Sequence, residues 1–166
     1  MNKKILYFGG QKSGKSAIAE ARTIELSNDI KPYYIATYDN SYGDKAMQEK
    51  INTHKIQRNN NFISIEQTHN LLEVLQENQT YIIDCMSMWI LNNIEKKDEY
   101  FITHLKKISK IKSNIIFVLN DVNSGIIPLE IQSRRFVDIT GIVGSVLAQI
   151  CDEVYEIKFG LKSRLK

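Results

Sequence analysis

The segment that most constrains this chain is residues 9–16, which have the sequence GGQKSGKS. A short apolar run, residues 5–8, precedes it, and a helix-like run, residues 16–26, follows it. The glycines allow successive backbone N–H groups to point at phosphate oxygens, and the N-terminal dipole of the following helix favours negative charge. A strand, a Gly-x-x-x-x-Gly-Lys-Ser loop and a helix in this order predict a phosphate-binding loop, and therefore a chain that binds a nucleotide.

Each polar residue of this loop has an expected task. Lys15 is expected to reach the outer phosphates, and Ser16 to give its hydroxyl to Mg²⁺. A carboxylate at the end of a neighbouring strand would assist the metal, and Asp84 and Asp121 are the two candidates. We favour Asp84, because it is the first polar residue after a clean apolar run. The expected phosphate-binding residues are Gly9, Gly10, Gln11, Lys12, Ser13, Gly14, Lys15 and Ser16.

The rest of the chain alternates short β-rich runs with longer helical ones. Strands are predicted at residues 5–8, 33–36, 61–66, 80–85, 114–121 and 153–157. Helices are predicted at residues 16–26, 44–57, 70–78 and 100–112, and in a long stretch after Pro128 that ends near Ile150. Continuous apolar strands separated by helices are typical of a parallel sheet covered on both faces. We therefore predict a single α/β P-loop domain of the RecA-like type, spanning residues 1–166, with five or six strands.

Composition supports a globular chain and favours no polyanionic partner. With 166 residues, 43% of them apolar and 25% charged, the chain suits one domain with one core. The net charge of +3 is mild, and the lysines at 106, 107, 110 and 112 are interpreted as the solvated face of a helix rather than a nucleic-acid patch. No run approaches a membrane span, and the first apolar run is too short for a signal peptide, so we expect a cytoplasmic protein.

Two cysteines and two of the three histidines receive structural interpretations. Cys85 and Cys151 lie inside apolar segments and are expected to be buried free thiols. His69 precedes the leucine-rich segment and is interpreted as a helix cap. His104 lies beside the apolar stripe of a predicted surface helix, and we expect it to be structural as well.

His54 is the histidine with a chemical interpretation. In a helix, Lys50, His54 and Arg58 would lie on one face at i, i+4 and i+8. Two neighbouring cations favour neutral imidazole, which is the nucleophilic form, and they would also receive a phosphate. A solvated helix face with an incidental histidine is the alternative that this pattern leaves open.

Taken together, these motifs resemble the bifunctional adenosylcobinamide kinase / adenosylcobinamide-phosphate guanylyltransferase family of cobalamin biosynthesis. The similarity covers nearly the whole chain in order and spacing. It is carried by GGQKSGKS at residues 9–16, YIAT at 34–37, Met47 with Lys50, Ile51, His54, Lys55 and Arg58, FISIE at 62–66, Asp84-Cys85, NDVNSGIIP at 120–128, Arg134 to Gly141 and CDEVYEI at 151–157. Lys12 replaces the family's usual arginine, and residues 123–124 and 141–145 depart from its pattern.

The resemblance implies an activity and a set of site residues. His54 would be guanylylated by GTP and would pass GMP to adenosylcobinamide phosphate, while the same P-loop would serve a kinase step with GTP or ATP and Mg²⁺. The implied catalytic residues are His54 and Lys15, and the implied metal ligands are Ser16 and Asp84. Beyond the loop, the implied nucleotide contacts are Thr37, Tyr38, Lys55, Ile56, Gln57, Arg58, Glu66 and Asp84. The small-molecule partner would be a corrinoid, and the assembly a homotrimer.

Two other hypotheses stay open from the sequence alone. One is a different P-loop kinase that phosphorylates a small alcohol and in which His54 is structural. The other is a nucleotide-binding module without catalysis. The presence of His54, Arg58, Lys15, Ser16 and Asp84 together favours the bifunctional enzyme over both.

Overall fold

The computed structural model describes residues 2–39 and 60–166, and a mixed sheet forms its centre. The seven strands are β1 Lys4–Gly9, β2 Tyr33–Ala36, β3 Ile63–Glu66, β4 Thr80–Asp84, β5 Asn114–Asn120, β6 Glu153–Lys158 and β7 Leu161–Arg164. Their order across the sheet is β3-β2-β4-β5-β1-β6-β7. All neighbouring pairs are parallel except β6 and β7, which form an antiparallel hairpin.

Helices cover both faces of this sheet. They are α1 Lys15–Leu26, α2 Met86–Asn92, α3 Asp98–Ser109 and α4 Ile131–Ile150. The strand residues alternate between two buried apolar clusters: Ile5 and Tyr7 face α1, whereas Leu6 faces the side of α2, α3 and α4. This alternation follows from the period of two in a strand, and it explains why both faces of β1 are apolar. The predicted α/β architecture with helices on both faces is confirmed.

The predicted number of strands was too low. The sheet has seven strands rather than five or six, because the chain turns after β6 and adds β7 at the edge. All four residues of β7 are exposed, so the strand has no buried face and leaves no alternating pattern in the sequence.

The predicted helix at residues 70–78 was wrong. Only Leu71–Glu73 forms a short 3-10 helix. The following N–H groups bond to tertiary partners instead: Gln76 donates to the Tyr81 hydroxyl, and Asn78 donates to the Lys112 carbonyl. A nine-residue helix is marginal by itself, so these outside partners decide the local structure.

The helix α2 was not predicted, because it lacks a polar face. Its seven residues, MSMWILN, are almost all apolar, and Met86, Ser87, Trp89 and Ile90 are buried. A helix that is buried on most sides lacks the polar face on which periodicity depends.

The remaining predictions can be compared segment by segment. The other strands and the helices α1, α3 and α4 lie where the sequence predicted them, within a few residues at the ends. The four lysines of the α3 region are exposed, and both cysteines are free, although Cys85 is only half-buried. The predicted helix at residues 44–57 lies outside the described residues.

Candidate active site

The candidate site lies along one edge of the sheet. Strands β1, β2, β3, β4 and β5 are parallel, so their carboxyl ends meet there. Register pairs Asp84 at the end of β4 with Ala36 at the end of β2, and Ala36 with Glu66 at the end of β3. Crevices outside the carboxyl ends of strands are where open α/β sheets bind ligands.

The phosphate loop connects β1 to α1 at this edge, as predicted. A Cβ atom on Gly9 would lie 2.1 Å from the Ile157 carbonyl oxygen, so only glycine fits beside β6. Gly14 has a φ of 91°, a left-handed conformation that glycine adopts without strain. The Ser13 hydroxyl oxygen is buried and has no hydrogen-bond partner among the residues that the structure describes. A buried polar group of this kind at the centre of the loop fits a site that receives a phosphate oxygen.

Lys15 is held close to the loop that it follows. It is the first residue of α1, and it is 6% exposed. Its Nζ donates to the Gly10 carbonyl at 3.0 Å. Burial lowers the pKa of Lys15 below its ordinary value, while the nearby Asp84 carboxylate acts against that shift. Ser16 follows it in the first turn of α1 and is half-buried.

The two candidate carboxylates have different surroundings. Asp84 accepts a hydrogen bond from the Tyr34 hydroxyl at 2.6 Å and lies near Lys15. Asp121 instead accepts hydrogen bonds from the Asn123 backbone N–H at 3.0 Å and the Ser124 hydroxyl at 2.8 Å. Its carboxylate is thus occupied with its own loop, which supports the choice of Asp84.

Thr37 joins the ends of β2 and β4. It is fully buried, and its hydroxyl donates to the Cys85 carbonyl at 2.7 Å and accepts from the Cys85 N–H at 3.0 Å. Burial raises the pKa of Cys85 to about 11, and the adjacent Asp84 carboxylate adds to the effect. A thiol with a pKa this high is mostly protonated at neutral pH, whereas the thiolate is the nucleophilic form.

The other predicted nucleotide contacts divide into two groups. Tyr38 is half-buried just beyond β2, and Glu66 is exposed at the end of the edge strand β3. Both lie on the same edge as Asp84. The residues His54, Lys55, Ile56, Gln57 and Arg58 lie outside the described residues.

A cleft of about 480 Å³ opens beside the phosphate loop. Its walls are residues 9–13, the loop after β5 at Asp121, and the turn between β6 and β7 at Phe159. The Gly160 N–H donates to the Ser13 carbonyl at 2.9 Å, which fixes this turn against the loop. This turn was missed from the sequence, although Gly160 lies three residues after the end of the last predicted strand and glycine favours turns.

A second, more apolar cleft of about 420 Å³ lies along α4. Gly141 and Gly144, which have no side chain, and the small Ser145 form part of one wall, and Leu6, Phe8 and Leu119 line the sheet side. The segment 141–145 is one of the two that depart from the family pattern. Small residues at these helix positions leave room for the cleft between α4 and the sheet.

Of the two described histidines, His104 is structural, as expected, whereas His69 differs from its prediction. His104 is 5% exposed and packs against Trp89 and Tyr100, with ring centroids 5.1 and 5.5 Å apart. Burial, with a smaller effect of Lys107, lowers the pKa of His104 to about 4. The predicted capping role of His69 does not hold as stated, since no full helix follows it. Its backbone carbonyl accepts a hydrogen bond from the Trp89 indole at 2.7 Å.

The phosphate loop lies between β1 and α1, Lys15 is buried beside it, and Asp84 lies at the end of β4, two strands away from β1. These features define a P-loop nucleotide-binding protein. The family model described as "Cobinamide kinase / cobinamide phosphate guanyltransferase" (CobU) matches residues 5–165. The chain belongs to this family, and the predicted enzyme class, a kinase and guanylyltransferase of cobalamin biosynthesis, is confirmed.

Two relatives match along their whole length. The bifunctional adenosylcobalamin biosynthesis protein CobP of Pseudomonas aeruginosa is 29% identical over 170 residues, with 97% of this chain and 96% of the relative covered. The bifunctional adenosylcobalamin biosynthesis protein CobU of Escherichia coli is 25% identical over 184 residues, with 98% and 99% covered.

Solved structures agree on the fold. The flagellar accessory protein FlaH of Methanocaldococcus jannaschii superposes with a TM-score of 0.56 at 17% identity, covering 99% of this chain and 78% of that one. The protein PH0250 of Pyrococcus horikoshii gives a TM-score of 0.55 at 11% identity, covering 99% and 86%. The predicted RecA-like fold class is confirmed. In residues 2–39 and 60–166, no helix has both the length and the apolar character that crossing a membrane requires.

Proposed function

We propose that one phosphate loop serves two reactions in this chain. In the first, the γ-phosphate of a nucleoside triphosphate passes to the free alcohol of adenosylcobinamide. In the second, GMP passes from GTP to the resulting adenosylcobinamide phosphate and gives adenosylcobinamide-GDP. The observation that carries the proposal is the convergence of Lys15, Ser16 and Asp84 at the carboxyl edge of a sheet in a chain of this family.

We propose that guanylyl transfer proceeds through His54. A ring nitrogen of neutral imidazole attacks the α-phosphorus of GTP, a P–N bond forms, and the bond to the departing pyrophosphate breaks. A phosphate oxygen of the corrinoid substrate then attacks the same phosphorus, and the P–N bond breaks to restore the histidine. Arg58 and Lys50 would supply positive charge beside the α-phosphate, because in the helix expected from the sequence their spacing would put them on the same face as His54.

The residues around the loop fit a nucleotide with Mg²⁺. Ser16 and Asp84 offer only oxygen donors, which Mg²⁺ prefers, and this metal binds through one or two protein ligands together with phosphates and water. Bound there, Mg²⁺ supplies positive charge next to the phosphate oxygens. Lys15 would leave the Gly10 carbonyl for the outer phosphates, and its burial keeps that charge away from bulk solvent.

We propose that the guanosine of the guanylyl donor lies toward β2 and β3. Glu66 is exposed at the end of β3 and can accept hydrogen bonds from guanine N1–H and its exocyclic amine. Tyr38 and residues 55–58 would complete this side. Thr37 would act by holding the ends of β2 and β4 together, since its hydroxyl is already engaged with Cys85.

The remaining proposals concern the acceptor, the donor and the assembly. Membership of the family supports a cobinamide as acceptor, and ATP is proposed alongside GTP as donor for the kinase step. A homotrimer is proposed on the family resemblance, and the cytoplasmic location expected from the sequence stays a proposal.

Covalent labelling tests the histidine intermediate. Protein incubated with GTP labelled at the α-phosphate should retain an acid-labile, alkali-stable label after denaturation. His54→Ala should lose the label, while the matched variant His69→Ala should keep it, because His69 lies outside the segment that is proposed to carry the nucleophile. Equal labelling of His54→Ala and wild type would refute the proposed intermediate.

A further inference from the structure

An aromatic side chain stands exposed beside the phosphate loop. Phe159, in the turn between β6 and β7, is 88% exposed and has a φ of 53°. Bulky residues rarely adopt this left-handed conformation, and an exposed ring gains little from packing within the chain. Backbone outliers of this kind concentrate at ligand sites, which makes Phe159 a candidate for ligand contact.

The turn is fixed relative to the phosphate cradle. Besides the hydrogen bond from Gly160 to the Ser13 carbonyl at 2.9 Å, the Gly160 Cα atom lies 3.7 Å from the place that a Cβ on Gly14 would take. Phe159 and Lys158 line the same 480 Å³ cleft as residues 9–13. The backbone of Phe159 therefore has a defined position relative to the N–H groups that would bind phosphates, and its ring can reach the cleft from there.

We propose that Phe159 is the stacking surface for the purine base of the nucleotide that donates its γ-phosphate in the kinase step. Aromatic rings accept any base face, so such a platform suits a donor site that takes either ATP or GTP. The inference rests on the proposed role of residues 9–16 as the phosphate cradle.

The two reactions then place their bases on opposite sides of the loop. In the order β3-β2-β4-β5-β1-β6, Glu66 on β3 and the end of β6 are five strand spacings apart, about 24 Å. One base cannot contact both. The guanylyl donor would extend from the loop toward Glu66, and the phosphoryl donor would extend toward Phe159.

Binding measurements with three variants test this arrangement. Phe159→Ala should raise the dissociation constant for Mg-ATP about tenfold, because the substitution removes the stacking contact with the base. Binding of inorganic tripolyphosphate, which has no base, should stay unchanged. Phe159→Tyr should restore ATP binding. Leu161→Ala is the control, since Leu161 is 73% exposed on the same hairpin and does not line the cleft. In the catalysed steps, the half-saturating ATP concentration of Phe159→Ala should rise more than the half-saturating GTP concentration for covalent labelling.

Three results would overturn the proposal: unchanged ATP binding by Phe159→Ala, equal weakening of ATP and tripolyphosphate, or a changed number of subunits in that variant. The variant Lys15→Ala distinguishes the stacking proposal from the proposal that residues 9–16 bind the phosphates. If Lys15→Ala loses both ligands while Phe159→Ala binds ATP normally, the phosphate cradle stands and the stacking surface does not. If wild-type protein binds neither ATP nor tripolyphosphate, both proposals fail.

Discussion

Lys15 and Thr37 are buried polar residues at the same edge of the sheet, but their side chains have different hydrogen-bond partners. The Lys15 ammonium donates to the Gly10 carbonyl within a loop that a phosphate can enter. The Thr37 hydroxyl both donates to and accepts from Cys85, and thus links two strands of the finished fold. We expect substitution of Lys15 to affect ligand binding first, and substitution of Thr37 to affect stability first.

Replacing Lys15 with alanine should weaken nucleotide binding with little loss of fold. Hydrogen bonds to charged groups contribute about 1.5–3 kcal/mol, which corresponds to a rise in the dissociation constant of about 10- to 150-fold. Titration calorimetry with Mg-GTP measures the change. Lys106→Ala, at an exposed position of α3, is the matched control and should bind as wild type does. Equal affinities for the Lys15 variant and the control would contradict the assignment.

Replacing Thr37 with valine keeps the shape of the side chain and removes both hydrogen bonds. The Cys85 N–H, which is partly buried, would lose its acceptor, and this loss costs about 1–3 kcal/mol of the free energy of unfolding. Urea denaturation measures the loss. Thr103→Val, at an exposed position of α3, should change stability by less than about 0.5 kcal/mol. A Thr37 variant as stable as its control would show that the two bonds contribute nothing net.

At the scale of elements, α4 contains two glycines, and the atoms packed around each glycine determine whether a larger residue would fit. The helix runs unbroken through Gly141 and Gly144, and the Glu130 carboxylate caps its start by accepting from the Gln132 and Ser133 N–H groups. Glycine inside a helix costs about 1 kcal/mol relative to alanine. The contacts around each glycine decide whether alanine recovers that cost.

Alanine substitutions at the two glycines should therefore differ. A Cβ on Gly144 would meet Leu119 Cδ2 at 3.5 Å, an ordinary contact, so Gly144→Ala should raise the free energy of unfolding by up to about 1 kcal/mol. A Cβ on Gly141 would lie 3.2 Å from Asn123 Nδ2, which donates to the Val137 carbonyl at 2.9 Å. Gly141→Ala should gain less or lose stability. Urea midpoints measured side by side would contradict this if Gly141→Ala were the more stable variant.

At the scale of the whole molecule, the burial of His104 links stability to pH. The pKa of His104 is lowered from 6.5, the ordinary value of a solvent-exposed histidine, to about 4 in the folded protein, mainly because the ring is buried. Between these values the unfolded chain binds a proton that the folded chain does not. Stability due to this group is therefore complete above about pH 6.5 and declines as the pH falls, by up to about 1.4 kcal/mol per pH unit.

The variant His104→Phe should remove this dependence, because phenylalanine fills the aromatic cluster without titrating. Its free energy of unfolding, measured by urea denaturation from pH 7 to pH 4, should fall less steeply than that of wild type. Other groups titrate in both proteins, so the difference between the two curves isolates His104. Parallel curves over this range would contradict the prediction.

Sequence patterns predicted most of the fold where local and tertiary preferences agree. The strands β1, β2, β4 and β5 are continuous apolar runs, and α1 follows the glycine loop, so their positions were accessible. The errors have physical causes. In the segment 70–78, the N–H groups of Gln76 and Asn78 donate to tertiary partners rather than within a helix. The helix α2 is too apolar to show a helical period, and β7 has no buried face.

The sequence by itself determined the chemistry at the centre of the site. A Gly-x-x-x-x-Gly-Lys-Ser loop between a strand and a helix requires the backbone to present N–H groups to phosphate, whatever surrounds it. Only the tertiary structure shows which of the two carboxylates lies near Lys15 and what else borders the loop. Asp121 bonds to its own loop and Asp84 lies near Lys15, while Phe159, 150 residues after Gly9, is placed in the cleft by the pairing of β1 with β6. Contacts between residues so distant in sequence depend on strand order, which local patterns do not encode.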